Sequence, residues 1–135
     1  MGERAIDAIF NHSRVRCEKD ENFVTRFYEN FLASDPRVAE KFAATDFERQ
    51  KEAMRLSLRM MSMASVGGDA ADLYLEYIAR RHDRNHLNIE PELYELWLEA
   101  LIDTVRECDT EFDLSIEKAW RSVMRYGIDY MVSRY

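Results

Sequence analysis

The stretch Ile78–Trp97, IARRHDRNHLNIEPELYELW, decides the fold. Leu75, Ile78, Ala79 and His82 recur at three- and four-residue steps, the period of one helix face. A short turn follows, and Pro91 opens a second helix, because proline is tolerated where a first-turn N–H has no partner anyway. The stretch therefore predicts helix, turn, helix, with His82 at the C-terminal end of an apolar stripe. The helix dipole also favours a histidine at that end, so position alone does not separate a ligand from a capping residue. His86 would share the face of His82 only if the first helix ran on. Its flanking Asn85 and Asn88 place it in the turn.

Working outward, the downstream helix carries Leu93, Leu96, Trp97, Ala100, Leu101, Thr104 and Val105 at helical spacing. Cys108-Asp109-Thr110 interrupts it. Asp113 caps a last helix to about Ser133, with Ile116, Ala119, Trp120, Val123, Met124, Ile128 and Met131 as its stripe. Upstream, a helix is expected over about Ala70 to Arg81, preceded by the breaker Gly67-Gly68-Asp69. Thr45 and Glu48 read as a capping box opening a long helix from about Asp46 to Val66. Gln50, Met54, Leu58 and Met61 share its face, and Met60, Met61 and Met63 read as soft core filling. Ser34-Asp35-Pro36 turns into a short helix ending near Phe42. Before it, Phe23, Phe27 and Phe31 stripe a helix to about Ala33. The first helix runs from Glu3 to about Cys17, with Ile6, Ile9, Phe10, Ser13 and Cys17 on one side and His12 at the surface. Strand signals are absent. The expectation is an all-α chain of about seven helices forming one domain over residues 1–135.

Composition narrows the function classes. The 135 residues are 47% hydrophobic, enough for a packed core. The net charge of −7 argues against general nucleic-acid affinity. No apolar run approaches membrane-spanning length, and the first ten residues lack the pattern of a secretory signal. Cys17 and Cys108 lie far apart with no CxxC, which points to reduced thiols and a cytoplasmic location. None of the three His has a Glu three residues before it, so a di-iron bundle is excluded. No Ser/His/Asp or Cys/His context supports a hydrolase.

The order of several segments resembles the bacterial single-domain globins, relatives of the globin domain of flavohaemoglobins. FYENFLASDPRVAEKF resembles the second and third helices of that family, ERQKEAM the start of its distal helix, YIARRHDRNHLNIEPELYELWLEAL its proximal helix and the next, and AWRSVMRYGIDYM its last helix. No single piece is specific. Their order is, with Tyr28 and Phe42 14 positions apart and Gln50 and His82 32 apart.

The resemblance implies a globin fold holding haem b, with His82 as the proximal iron ligand and His86 as its rival. An imidazole suits iron and leaves the opposite face open for a diatomic gas. Tyr28 and Gln50 match the distal pair, whose hydrogen bonds stabilise a bound ligand carrying partial negative charge. Phe42 matches the phenylalanine that stacks on the porphyrin, and Met54 would set the size of the ligand pocket. Ile78, Leu93, Trp97 and Met124 would line the proximal side, Tyr94 would sit near the proximal ligand, and Arg81, Arg80 or Arg84 would pair with a propionate. The implied ligands are dioxygen, carbon monoxide and nitric oxide, for a monomer or homodimer. The implied activities are reversible oxygen binding and nitric oxide dioxygenation. The second needs an external reductase, because the chain carries no GxGxxG or flavin domain. The alternatives are a gas or redox sensor acting through a partner, and a haem-free interaction module. One departure stands out. Those relatives place a Glu late in the last helix against the proximal His, whereas here only Asp129 follows Glu117. The proximal hydrogen bond is then expected to go to a backbone carbonyl, with weak peroxidase-like activation.

Overall fold

The computed structural model describes residues 3–135. Among them the chain forms α1 (Glu3–Glu18), α2 (Phe23–Ser34), α3 (Pro36–Lys41), α4 (Phe47–Val66), α5 (Asp69–His82), α6 (Pro91–Cys108) and α7 (Leu114–Ser133), with no strand. Every helix foreseen in the sequence is present. One start signal is corrected: Thr45 is not the N-cap of α4. The Asp46 carboxylate takes that role and accepts from the backbone N–H groups of Glu48 and Arg49. A carboxylate is both the better acceptor and favoured by the positive end of the dipole. Asp113 caps α7 as foreseen, accepting from the Ile116 N–H at 3.0 Å.

Two glycines alone join α4 to α5, with φ of +91° at Gly67 and +158° at Gly68. Side chains rarely adopt such backbone, so glycine is what permits the abrupt reversal. Asp69 and Asp72 open α5, and Arg80 and Arg81 lie in its last turn, charges that suit the two ends of the helix dipole.

The helices enclose one apolar core. Helix α6 lies against α2 most extensively and also meets α7 and α1, while α7 crosses α1 and α4. This explains where the foreseen stripe of α6 was too narrow. Leu98 and Ile102 are fully buried although they lie off the Leu93–Leu101 face. Leu96 and Trp97, placed on that face, are only half-buried. A helix covered from several sides has more than one apolar face. Met63 is likewise corrected. It is 51% exposed, whereas Met61 is buried against Gly127 of α7.

A buried polar cluster ties α1 to the start of α7. Asp109 accepts from Ser13 Oγ (2.6 Å), Arg16 Nε (2.7 Å) and Nη2 (3.0 Å), and from the Glu111 N–H (2.9 Å). Ser13 in turn accepts from the indole N–H of the fully buried Trp120 at 2.8 Å. Buried polar groups are tolerated when satisfied in this way.

Candidate functional site

The aromatic end of α2 meets the start of α4. Tyr28 is buried, with its ring edge-to-face with Phe27, Phe42 and Phe47 at centroid distances of 4.9, 5.8 and 5.6 Å. Its hydroxyl accepts from Gln50 Nε2 at 3.1 Å and donates, at a long 3.4 Å, to the Gln50 carbonyl. Burial pushes its pKa up to about 12, against a smaller opposing effect of Gln50, so the phenol keeps its proton. The structure thus brings together the sequence-predicted Tyr28, Phe42 and Gln50. Met54, one turn after Gln50, is buried on the same helix. Phe47, which completes the cage, went unnoticed in the sequence. It sits three residues before Gln50, the spacing that would have flagged it.

His82 is the last residue of α5. Its Nδ1 lies 2.7 Å from the Ile78 carbonyl, four residues back. A carbonyl can only accept, so Nδ1 carries the proton and Nε2 keeps its lone pair. No residue among those described hydrogen-bonds Nε2. Burial lowers the imidazole pKa, and Arg81 adds to the effect, while the Ile78 bond partly opposes it. The ring is therefore a neutral base held in one tautomer. The backbone partner is the one anticipated from the missing Glu, and Asp129 stays outside, exposed beside Arg125. His86 lies in the turn, exposed, with Nδ1 2.7 Å from Asp83 Oδ1.

The turn carrying these histidines is pinned from several sides. The N–H groups of Leu87, Asn88 and Ile89 cap the carbonyls of Arg81, Asp83 and His82. Lys41, at the end of α3, donates to the carbonyls of Leu87 (3.3 Å) and Asn88 (2.7 Å). From just beyond α7, the Tyr135 hydroxyl reaches Asn88 Oδ1 at 2.5 Å, and Arg84 Nε donates to the Tyr135 main-chain oxygen at 3.1 Å. Asn88 needs this support, because its φ is +52°. Lys41, Asn88 and Tyr135 carry no local sequence signal for these bonds, since the partners lie 46 or more positions away.

Leu93 and Met124 are buried, while Ile78, Tyr94 and Trp97 are half-buried. Trp97 is edge-on to Phe27 at 5.9 Å. The Tyr94 hydroxyl is held well above its usual range, chiefly by burial. Arg81 points along its own helix, donating to the Tyr77 hydroxyl at 3.1 Å, and Arg80 pairs with Glu76. Two open clefts of about 200 and 340 Å³ run along α4 and share Arg59, and neither includes a predicted site residue.

No family model matches the chain, and no curated protein matches it. A solved structure does. It is the crystal structure of the protein PA3967 from Pseudomonas aeruginosa PAO1, described as structurally highly homologous to a human hemoglobin. It is 38% identical, with a TM-score of 0.93 over 96% of this chain and 98% of that one. The chain belongs to the globin family.

A globin fold implies a haem, and the residues of this globin fit one on two counts. His82 offers a single neutral nitrogen with its other nitrogen occupied, the donor state an iron requires. Phe42, Phe47, Ile78, Ile89, Tyr94 and Trp97 are apolar or aromatic yet only half-buried, so they keep surface that a flat apolar group would cover. Among the described residues no three His, Cys, Asp or Glu gather as a metal site, and no helix is long and apolar enough to cross a membrane.

Proposed function

We propose that this globin binds haem b through His82 and reversibly holds dioxygen, carbon monoxide or nitric oxide beside Tyr28 and Gln50. Bound haem would supply an iron with one open axial face for the gas. The observation that carries the reading is the hydrogen bond from His82 Nδ1 to the Ile78 carbonyl, together with the lowered imidazole pKa. It fixes the ring orientation and leaves Nε2 as the donor atom.

The distal pair supports a gas ligand rather than a large substrate. Gln50 Nε2 donates to the Tyr28 hydroxyl, which polarises that O–H, while its own donated bond of 3.4 Å is weak. The phenol is thus a poised donor that gives up little by turning to a new acceptor. Set among Phe27, Phe42 and Phe47, away from water, such a donor favours a ligand on which negative charge develops. Met54 bounds the space beyond Gln50. Tyr94 and Trp97 would shield the proximal side. Nitric oxide dioxygenation is the proposed turnover, with electrons from a separate reductase.

The test is an absorption spectrum of the purified protein in ferric, dithionite-reduced and carbon monoxide-treated forms. A Soret band that broadens on reduction and sharpens under carbon monoxide supports the reading. His82→Ala should lose stable haem, and normal spectra in that variant would remove His82 as the ligand. No Soret band after haem addition to the wild type would end the proposal.

A further inference from the structure

Most cations of this acidic chain are matched by carboxylates, and the exceptions are not evenly spread. Among the described residues, Lys19, Arg49, Arg81, Arg84, Lys118 and Arg134 have no Asp or Glu oxygen within 4 Å, and Arg84 donates instead to the Tyr135 main-chain oxygen. Arg81, Arg84 and Arg134 lie at one edge, where the end of α5 and the following turn meet the end of α7. Each guanidinium rests on a tyrosine ring: Arg81 on Tyr77 at 5.7 Å, Arg84 on Tyr135 at 4.8 Å, and Arg134 on Tyr130 at 4.6 Å. All three arginines are exposed. Beside them Tyr77, Leu87 and Val132 expose 57%, 52% and 38% of their surface.

We propose that this edge is the docking surface for an acidic electron-donor protein. Three arguments support that occupant. The patch is positive on a protein of net charge −7, so it attracts an acidic surface where the rest of the molecule repels one. Stacking on tyrosine holds the arginines extended before a partner arrives, which lowers the ordering cost of binding. Arginine and tyrosine around a few apolar side chains is also the composition of energetically dominant interface positions. The location serves the function. Arg81 adjoins His82 in the chain and Arg84 opens the turn that follows it, so a donor seated here lies against the proximal end of the site. The purpose assigned to the surface rests on the haem reading above, but binding to it does not require haem.

The probe is an acidic plant-type [2Fe–2S] ferredoxin, titrated into the full-length protein by calorimetry. The expected result is binding that weakens roughly tenfold or more on raising salt from about 20 to 200 mM. Arg84→Glu with Arg134→Glu should weaken binding at least about tenfold, and Lys19→Glu with Lys118→Glu should not. Far-ultraviolet circular dichroism of the Arg84→Glu, Arg134→Glu variant should match the wild type, which shows that it folds. Absence of binding by the wild type, equal losses in the two double variants, or binding only to vesicles of anionic phospholipid would each overturn the proposal. So would a second copy of this chain outcompeting the ferredoxin. Patch-dependent binding by a protein that takes up no haem would remove the haem reading instead.

Discussion

Replacing Asp109 with alanine removes the acceptor on which four donors converge. The carboxylate is fully enclosed, and Ser13 and Trp120, the next links, are at 0% exposure. Arg16 keeps about a quarter of its side chain in solvent and already lies 3.5 Å from Glu111, so it recovers part of its loss. The two arginine bonds are charge-assisted, worth about 1.5–3 kcal/mol together after that recovery. The stranded Ser13 hydroxyl adds about 1 kcal/mol or more. The expected loss is therefore about 3–4 kcal/mol, a large part of the roughly 5–15 kcal/mol that holds a domain. In urea denaturation, with a slope of about 1–3 kcal/mol/M, the midpoint should fall by roughly 1–4 M. Glu95→Ala breaks an equally short pair with Arg125, but at the surface, and should cost less than about 1 kcal/mol. The cluster also predicts a pH effect. Burial pushes the Asp109 pKa up, but Arg16, Ser13 and the Glu111 N–H outweigh it and the net shift is downward. A carboxylate whose folded pKa is depressed contributes stability above its unfolded pKa of about 3.9 and loses it as pH falls through the folded value. The acid limb of the stability curve should therefore flatten in Asp109→Ala. A midpoint shift no larger than that of Glu95→Ala would refute the reasoning.

Other variants test neighbouring steps. Asp46→Ala should cost about 0.5–2 kcal/mol by thermal or urea unfolding and Thr45→Ala almost nothing, and the reverse order would restore Thr45 as the cap. A Cβ at Gly127 would sit 2.4 Å from Met61 Cε and 3.3 Å from its Cγ. Gly127→Ala should therefore add about 1 kcal/mol of helix stability in a Met61→Ala background and little or none in the wild type, and equal effects in both would refute the close approach of α4 to α7. Tyr28→Phe should speed oxygen release from the haem-loaded protein by roughly ten- to a hundredfold in stopped flow, the kinetic equivalent of one charge-assisted bond of about 1.5–3 kcal/mol. An unchanged rate would take Tyr28 out of the ligand pocket.

The helices and most of their buried faces were legible in the amino-acid sequence. Ile116, Ala119, Trp120, Val123, Met124 and Ile128 recur at a period that only a helix with one covered side satisfies, and Gly67-Gly68 and Pro91 mark ends that any tertiary setting must respect. The candidate site was legible as an order of residue types, Tyr28, Phe42, Gln50 and His82, because each sits at a fixed place on its own helix. Tertiary structure alone decided which partners they meet. Whether Leu98 and Ile102 are buried depends on which helices surround α6, and periodicity reports only one face. The Ser13–Asp109 bond joins residues 96 positions apart, and Asn88 finds Tyr135 across 47. The His82 tautomer, the Gln50 bond to Tyr28 and the turn of Arg81 toward Tyr77 are hydrogen-bond choices among several acceptors within reach. Such choices are settled by distances of a few tenths of an ångström, and residue order carries no record of them.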